Sequence, residues 1–366
     1  MTRLLLNMIV RNEAANLPRF LKSVEPHIMG AAITDTGSTD DTISVIEAFF
    51  TKHNKPLWVN HAPFEDFSQA RNAALRHARS LDGWDYILLG DADMELAVTG
   101  KIPKLTAATY ALMQDNGRTQ WWNIRLLRND VSTEYEGKTH EKFVPDPPPT
   151  AIGGLWYIDH ETGSNRGEKF TRDIHLLSDE LRDDPTNARS MFYMVQSLYG
   201  AGMVERAREF CDYKLTAGGL EEEIFWTMLH AAQFDEQLKR EPATIIHEYL
   251  AAYERRPTRA EPLCYLAQYL ASIGRHRLGL LYAREAALMH RVMDILPVDL
   301  ACYEWAALDI WMVCANECGS VADTKAAARI LIKRKLPDAE RERIMGNCNR
   351  VLNPKKGRQH EKSLGL

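Results

Sequence analysis

The stretch Tyr86-Ile87-Leu88-Leu89-Gly90-Asp91-Ala92-Asp93 decides how the first half of the chain is read. Four apolar residues in a row suit a strand buried on both faces, and the glycine and paired carboxylates place polar groups at its carboxyl end. In a parallel sheet covered by helices, ligands bind beyond the carboxyl ends of the strands. Two carboxylates at alternate positions there match a hard divalent cation and the phosphates it bridges. One can hold a ribose or a metal-bound water while the other ligates the ion. Acidic pairs are common on protein surfaces, so the placement of Asp91 and Asp93 carries the signal.

Working outward, apolar runs predict strands over 4–10, 31–34 and 57–60, and helical spacing predicts helices over 16–24, 41–50 and 68–79. This alternation predicts an α/β domain with a Rossmann-like, mostly parallel sheet. From 121 to 158 the pattern shifts to short strands, with Pro145, Pro147, Pro148 and Pro149 forbidding helix and marking a loop beside the site. Between about 170 and 352 the apolar spacing is helical throughout. Tyr193, Gln196, Leu198 and Gly202 recur there as Tyr265, Gln268, Leu270 and Gly274, each pair 72 residues apart. That offset is about two units of 34 residues, the period of tetratricopeptide helix pairs, which bury an apolar face only by stacking on neighbours. The expected division is an α/β domain over 1–168, a helical repeat domain over 169–352, and a flexible basic tail over 353–366 carrying Lys355, Lys356, Arg358 and Lys362.

Charged residues make up 26% of the 366 and both signs are mixed, which excludes a largely disordered chain. The net charge of -5 excludes a global positive field for holding nucleic acid, while leaving a local basic groove open. The apolar stretch 4–10 is broken by Asn7 and followed by no small-residue cleavage site, so it reads as a buried strand rather than a leader. No run approaches the ~18 apolar residues of a spanning helix. Cys211, Cys264, Cys302, Cys314, Cys318 and Cys348 show no paired spacing and read as reduced thiols. A cytoplasmic location is expected.

Three further segments carry polar groups suited to chemistry. Asp35-Thr36-Gly37-Ser38-Thr39-Asp40-Asp41-Thr42 lies between a strand and a helix. It reads either as an ordinary capped turn or as a nucleotide site with Asp35 accepting from a base N–H. Arg71 and Asn72 open an alanine-lined helix, where a guanidinium can reach a base or pyrophosphate. Gly137-Lys138-Thr139-His140-Glu141 supplies a carboxylate and an imidazole, either able to take a proton from an attacking acceptor. His160 follows a strand over 155–158 and is a candidate to complete a metal shell with Asp93.

The ordered motifs NMIVRNEA, DTGSTDDT, DFSQARNAAL, LLGDADMEL and GKTHEKF resemble the inverting glycosyltransferases of the GT-A fold, family 2 type, over about the first 165 residues. The continuation, including DDPTNARSMFYMVQSLY and RRPTRAEPLCYLAQYL, is similar to the tetratricopeptide-type extension of the branch that includes bacteriocin peptide glycosyltransferases. The resemblance implies a UDP-sugar donor with Mn2+ or Mg2+. By position it implies donor contacts at Asp35, Arg71, Asn72, Asp91, Asn12 and Glu13, metal ligation by Asp93 with Asp91 and His160, and Glu141 as acceptor base with His140 beside it. One departure is DTG at 35–37, where many members carry two adjacent acids. The acceptor is expected to be a peptide, protein or glycan docked near the helical repeats, with a modified nucleic acid base as the lesser choice, and a homodimer is compatible with this. The rival reading is an inactive tetratricopeptide scaffold that binds a peptide.

Overall fold

The computed structural model describes residues 2–163 and 169–353, so the basic tail expected at the end of the chain lies, after Asn353, outside the described residues. The first half forms strands β1 (Leu4–Val10), β2 (Gly30–Asp35), β3 (Leu57–His61) and β4 (Tyr86–Leu89), with helices α1 (Leu17–Val24), α2 (Thr42–Lys52) and α3 (Phe67–Arg79) between them. The chain then runs through β5 (Met94–Val98), β6 (Thr109–Asp115), β7 (Thr119–Arg128), β8 (Tyr135–Glu136), β9 (Lys142–Phe143) and β10 (Thr150–Asp159). The main sheet has the order β3-β2-β1-β4-β7-β6-β10-β5, and β8 pairs with β9 apart from it. The half from β3 to β4 is parallel, as the alternating pattern predicts. The other half is mixed: β7 runs antiparallel to both β4 and β6, β10 is parallel to β6, and β5 is antiparallel to β10. Two of these strands, β7 and β10, span ten residues each, longer than the short strands expected there.

Period-two alternation along β1 explains how the layers form. Leu4, Leu6, Met8 and Val10 pack with α1 and α2 residues such as Phe20, Leu21 and Ile46. Leu5 faces the other way, into a second core with Leu75 and Ala78 of α3. Asn7, the polar interruption in the run, shares that second face and is buried. Its amide donates to the Ala32 carbonyl at 2.9 Å and the Ala74 carbonyl at 3.0 Å, stitching β1, β2 and α3 together. A buried amide satisfied in this way adds specificity without the cost of an orphaned polar group.

From Lys169 the described chain is almost wholly helical: α4 (Lys169–Asp183), α5 (Ala188–Gly200), α6 (Val204–Ala217), α7 (Glu221–Gln237), α8 (Pro242–Arg255), α9 (Glu261–Ser272), α10 (His276–Leu288), α11 (Ala307–Glu317), α12 (Val321–Leu331) and α13 (Asp338–Leu352). A two-residue strand, Val298–Asp299, interrupts them. Secondary structure changes type close to residue 169, but the compact units divide later. The first unit holds residues 1–219 with 294–297, and so includes α4, α5 and α6, while the second holds 220–293 and 298–366. All six cysteines are free thiols. No helix among the described residues is long and apolar enough to cross a membrane.

The 72-residue echo is a repeated helix hairpin. Gly202, between α5 and α6, has φ +78°, and Gly274, between α9 and α10, has φ +76°. Both turns close with the same backbone bonds: Met203 N–H to Leu198 C=O at 2.9 Å, and Arg275 N–H to Leu270 C=O at 2.8 Å. Gly319 makes the equivalent turn between α11 and α12 at φ +72°, with Ser320 N–H on Ala315 C=O. These are left-handed helix C-caps, which glycine adopts without steric penalty. Between α7 and α8 the same turn is made by Lys239 at φ +54°. Lys239→Gly is therefore expected to raise the unfolding free energy by about 0.5–1 kcal/mol, the left-handed strain relieved less the entropy glycine adds to the unfolded chain. Denaturant unfolding of the two proteins checks it, and an unchanged or lower midpoint would refute it.

Candidate active site

The parallel register brings the site residues to one sheet edge. Val10 pairs with Asp35 and Asn7 with Leu89, so the chain leaves β2 at Asp35 and β4 at Gly90-Asp91 on the same side. Helix α3 starts at this edge as well, capped by Asp66, whose carboxylate accepts from Gln69 N–H at 2.7 Å. This places Arg71 beside the strand ends. Gly90 is needed where it stands, because a Cβ there would lie 2.3 Å from the Phe20 ring. Gly90→Ala is expected to cost about 1–3 kcal/mol by overpacking and to displace the acidic turn that follows. Thermal unfolding would show the first effect, and a wild-type melting temperature would contradict it.

The two aspartates of that turn have opposite surroundings. Asp93 is followed by Met94, whose N–H bonds Asp91 C=O at 3.1 Å, so the segment bends instead of continuing as strand. Asp91 is clamped by two guanidinium groups, Arg71 at 3.0 Å on one oxygen and Arg125 at 2.8 Å on the other. Burial opposes its ionisation, but Arg71 and Arg125 overcome this and hold its carboxyl well below the usual range. Asp93 has the reverse setting. Burial first, then the negative charges of Asp91, Asp159 and Glu13, push its pKa up to about 6. Among the described residues no Lys, Arg or His forms an ion pair with the Asp93 carboxylate. Gly163 lies against it, since a Cβ there would be 3.2 Å from Asp93 Oδ2.

Arg71 also donates through Nε to Glu141, so one side chain joins Asp91 to the carboxylate of the 137–141 loop. Burial works against the charge of Arg71, but Asp91 and then Glu141 outweigh it and hold the guanidinium more firmly protonated than usual. Asp35 is buried and accepts from Ser38 N–H at 3.0 Å, with His61 Nδ1 3.3 Å from its second oxygen. A carboxylate has about four acceptor sites, so capacity for a ligand N–H remains. Asn12 adopts φ +56° and its side chain accepts from Thr39 N–H at 2.7 Å, tying the loop after β1 to the turn after β2. The Glu13 carboxylate accepts from Asn16 at 2.7 Å and adds its charge to the field at Asp93.

Three of the expected site residues already have protein partners. The Asn72 amide, expected at the donor, is spent on the backbone of Tyr135, giving one bond of 2.9 Å and taking one of 2.7 Å, and so straps α3 to β8. The His160 ring, expected on a metal with Asp93, is engaged by Glu95 at 3.0 Å, and only its backbone N–H reaches the Asp93 carbonyl. Asp91, expected to share the metal, accepts from one arginine on each oxygen. His140 has φ +49° and stacks on Tyr193 with ring centroids 4.0 Å apart. Burial, then Lys169, Arg189 and Arg172, lower its pKa to about 3, so it is a neutral imidazole at ordinary pH.

Sequence reasoning assigned no role to two residues of this site. Arg125 lies in the middle of β7, a position where apolar neighbours hide a charged residue's purpose. Asp159 was passed over for the histidine after it; its own pKa is raised by burial, with the charges of Glu161 and Asp91 adding. Among the described residues no three His, Cys, Asp or Glu groups converge to enclose an ion. A cleft of about 1290 Å3 opens at the other end of the strands, beside Leu4, Trp84, Tyr86 and Arg128, and includes none of the site residues.

Residues 7–167 match the profile of the family described as "Glycosyl transferase family 2". They form a family 2 glycosyltransferase domain. The SPbeta prophage-derived glycosyltransferase SunS of Bacillus subtilis (strain 168) is 27% identical over 228 residues, covering 56% of this chain and 51% of that protein. A TPR repeat-containing protein of Synechococcus elongatus is 30% identical over 151 residues, covering 38% of this chain and 35% of that one. The chain thus spans about half the length of SunS and a third of the Synechococcus protein. Among solved structures, the C-terminal part of a TPR repeat-containing protein from Cytophaga hutchinsonii aligns with a TM-score of 0.42 at 9% identity, over 52% of this chain and 69% of that one. YrrB, described as a TPR protein with an unusual peptide-binding site, aligns at 0.37 and 14% identity, over 52% of this chain and 85% of that one.

Proposed function

We propose that the chain transfers a sugar from a nucleoside diphosphate donor to an acceptor nucleophile, with inversion at the anomeric carbon. The observation that carries this is the charge arrangement at the sheet edge of the family 2 domain. Asp93 is buried among like charges and its pKa is lifted by both, whereas Asp91 two residues before it is neutralised by Arg71 and Arg125.

The negative charge of Asp93, with the fields of Asp159 and Glu13 acting on it, would repel a diphosphate unless a cation lay between them. Divalent ions such as Mn2+ or Mg2+ fit that need, since they are bound by one or two carboxylates together with substrate phosphates. Asp93 would hold the ion, and the ion would supply charge stabilisation for the departing diphosphate. The chain's own groups do the rest. Asp35, recessed at the end of β2, accepts from an N–H of the base, and a UDP-sugar is the donor that the family resemblance implies. Arg71, which has N–H groups beyond those given to Asp91 and Glu141, would donate to the phosphates. Glu141, reached through Arg71, takes the proton of the acceptor as it attacks from the face opposite the leaving group. Alignment of acceptor, anomeric carbon and leaving oxygen lowers the barrier further.

The helix hairpins from α5 onward support an acceptor larger than a metabolite, because stacked hairpins present extended binding surfaces. A peptide, protein or glycan chain is the proposed acceptor class. Screening nucleoside diphosphate sugars for diphosphate release with Mn2+ present tests the reading. One donor should be turned over well above the others, and no release from any of them would refute it.

A further inference from the structure

We infer that α4 and α5 belong to the catalytic apparatus, with Glu180, Arg189 and Tyr193 acting as positioning residues for the loop that carries Glu141. This rests on Glu141 being the acceptor base.

The loop 137–141 has little regular structure of its own, lying between the two-residue strands β8 and β9. On one side Phe67 N–H bonds the Lys138 carbonyl at 2.9 Å. Arg71 of α3 holds Glu141, and further attachments come from α4 and α5. Lys138 N–H donates to Glu180 of α4, and the second oxygen of Glu180 accepts from Ser190 Oγ of α5 at 2.7 Å. Arg189 donates to the His140 carbonyl at 3.1 Å. The His140 ring lies on the Tyr193 ring with only 3° between their planes, and Arg189 sits 4.9 Å from the centre of the Tyr193 ring. Asp173 of α4 accepts from Thr139 Oγ at 3.4 Å and lies 3.8 Å from His140 Nε2. A cleft of about 210 Å3 runs between loop and helices, lined in part by Gly137, His140, Glu180, Arg189 and Tyr193.

The backbone of His140 is what needs this support. At φ +49° a histidine is in the left-handed region, and such conformations persist where the surroundings over-determine them. The carbonyl held by Arg189 belongs to the peptide unit that leads into Glu141, and the ring held by Tyr193 fixes the same residue. Releasing either lets His140 relax toward ordinary φ, which turns the Glu141 carboxylate away from Arg71. Because these helices fall in the same compact unit as the sheet, the contacts are internal to one folded body.

The test compares Arg189→Ala and Tyr193→Leu with the conservative Arg189→Lys and Tyr193→Phe in the full chain. Both disruptive variants should lose at least tenfold in kcat for transfer while the donor KM stays within about twofold. Tyr193→Phe, which keeps the stacked ring, should recover most of the rate. In a Glu141→Gln background, Tyr193→Leu should cause no further loss. Wild-type kcat in both disruptive variants would overturn the inference, as would a fall in kcat matched by a rise in donor KM and a lower melting temperature. Should Tyr193→Leu fail to fold, Arg189→Ala decides the question by the same readouts. Full transfer by Glu141→Gln would instead remove the base assignment itself, so the two failures are distinguishable.

Discussion

Asp93→Asn should lower metal-dependent donor turnover by about three orders of magnitude, the scale of several kcal/mol of lost charge stabilisation on a departing diphosphate. The substitution keeps the shape of the side chain and removes the charge, so folding should be retained. It should also alter the pH response of the metal-free protein. With a pKa raised to about 6 in the folded state, Asp93 contributes stability that is fully present below its ordinary carboxylate value and lost as pH rises through about 6. The variant should therefore show a smaller fall in melting temperature between pH 4 and 7. Binding of Mn2+ with UDP favours the ionised form, so the stabilisation they give wild type should grow across the same window and be absent from the variant. Thermal unfolding with and without these ligands measures both effects. Turnover by Asp93→Asn at the wild-type rate would take the cation away from this residue.

The second large effect is expected at Glu141. Glu141→Gln should reduce transfer by about 10²–10⁴, the usual contribution of a positioned general base. Donor binding should persist, because the amide oxygen can still accept from Arg71 Nε and leaves the Arg71 contact with Asp91 in place. Calorimetry with UDP and Mn2+, run beside a transfer assay, separates the two. A variant that transfers at the wild-type rate would exclude Glu141 as the base, and one that loses donor binding would make it part of the donor pocket instead.

Much of this arrangement was readable from residue order, and the limits have physical causes. The run Tyr86 to Leu89 announced a buried strand, and the parallel half of the sheet followed from apolar runs separated by helical ones. Strand β5 was not legible, because the sequence Met94 to Val98 alternates only weakly and sits directly after the acidic turn. The opposite surroundings of Asp91 and Asp93 were also hidden. Which aspartate is neutralised depends on Arg125, a residue more than thirty positions on, brought alongside by the antiparallel pairing of β7 with β4. Charge partners of that kind leave no local signature. For His160 the motif pointed at a side chain when the backbone N–H makes the contact with Asp93. The helix hairpins were legible as an echo of Gly202 in Gly274, since only glycine enters the left-handed turn freely. The hairpin closed by Lys239 broke that pattern and was invisible to it.

The closed form of those hairpins bears on how such chains can diverge. Each pair from α5 to α12 satisfies its own connecting turn with backbone bonds inside the pair. Duplication or deletion of a pair would therefore leave neighbouring turns with all their partners. The pairs from α7 to α12 are parts that evolution can edit in whole units, as beads are added to a string, whereas the pair α5–α6, which holds the loop of Glu141, must stay.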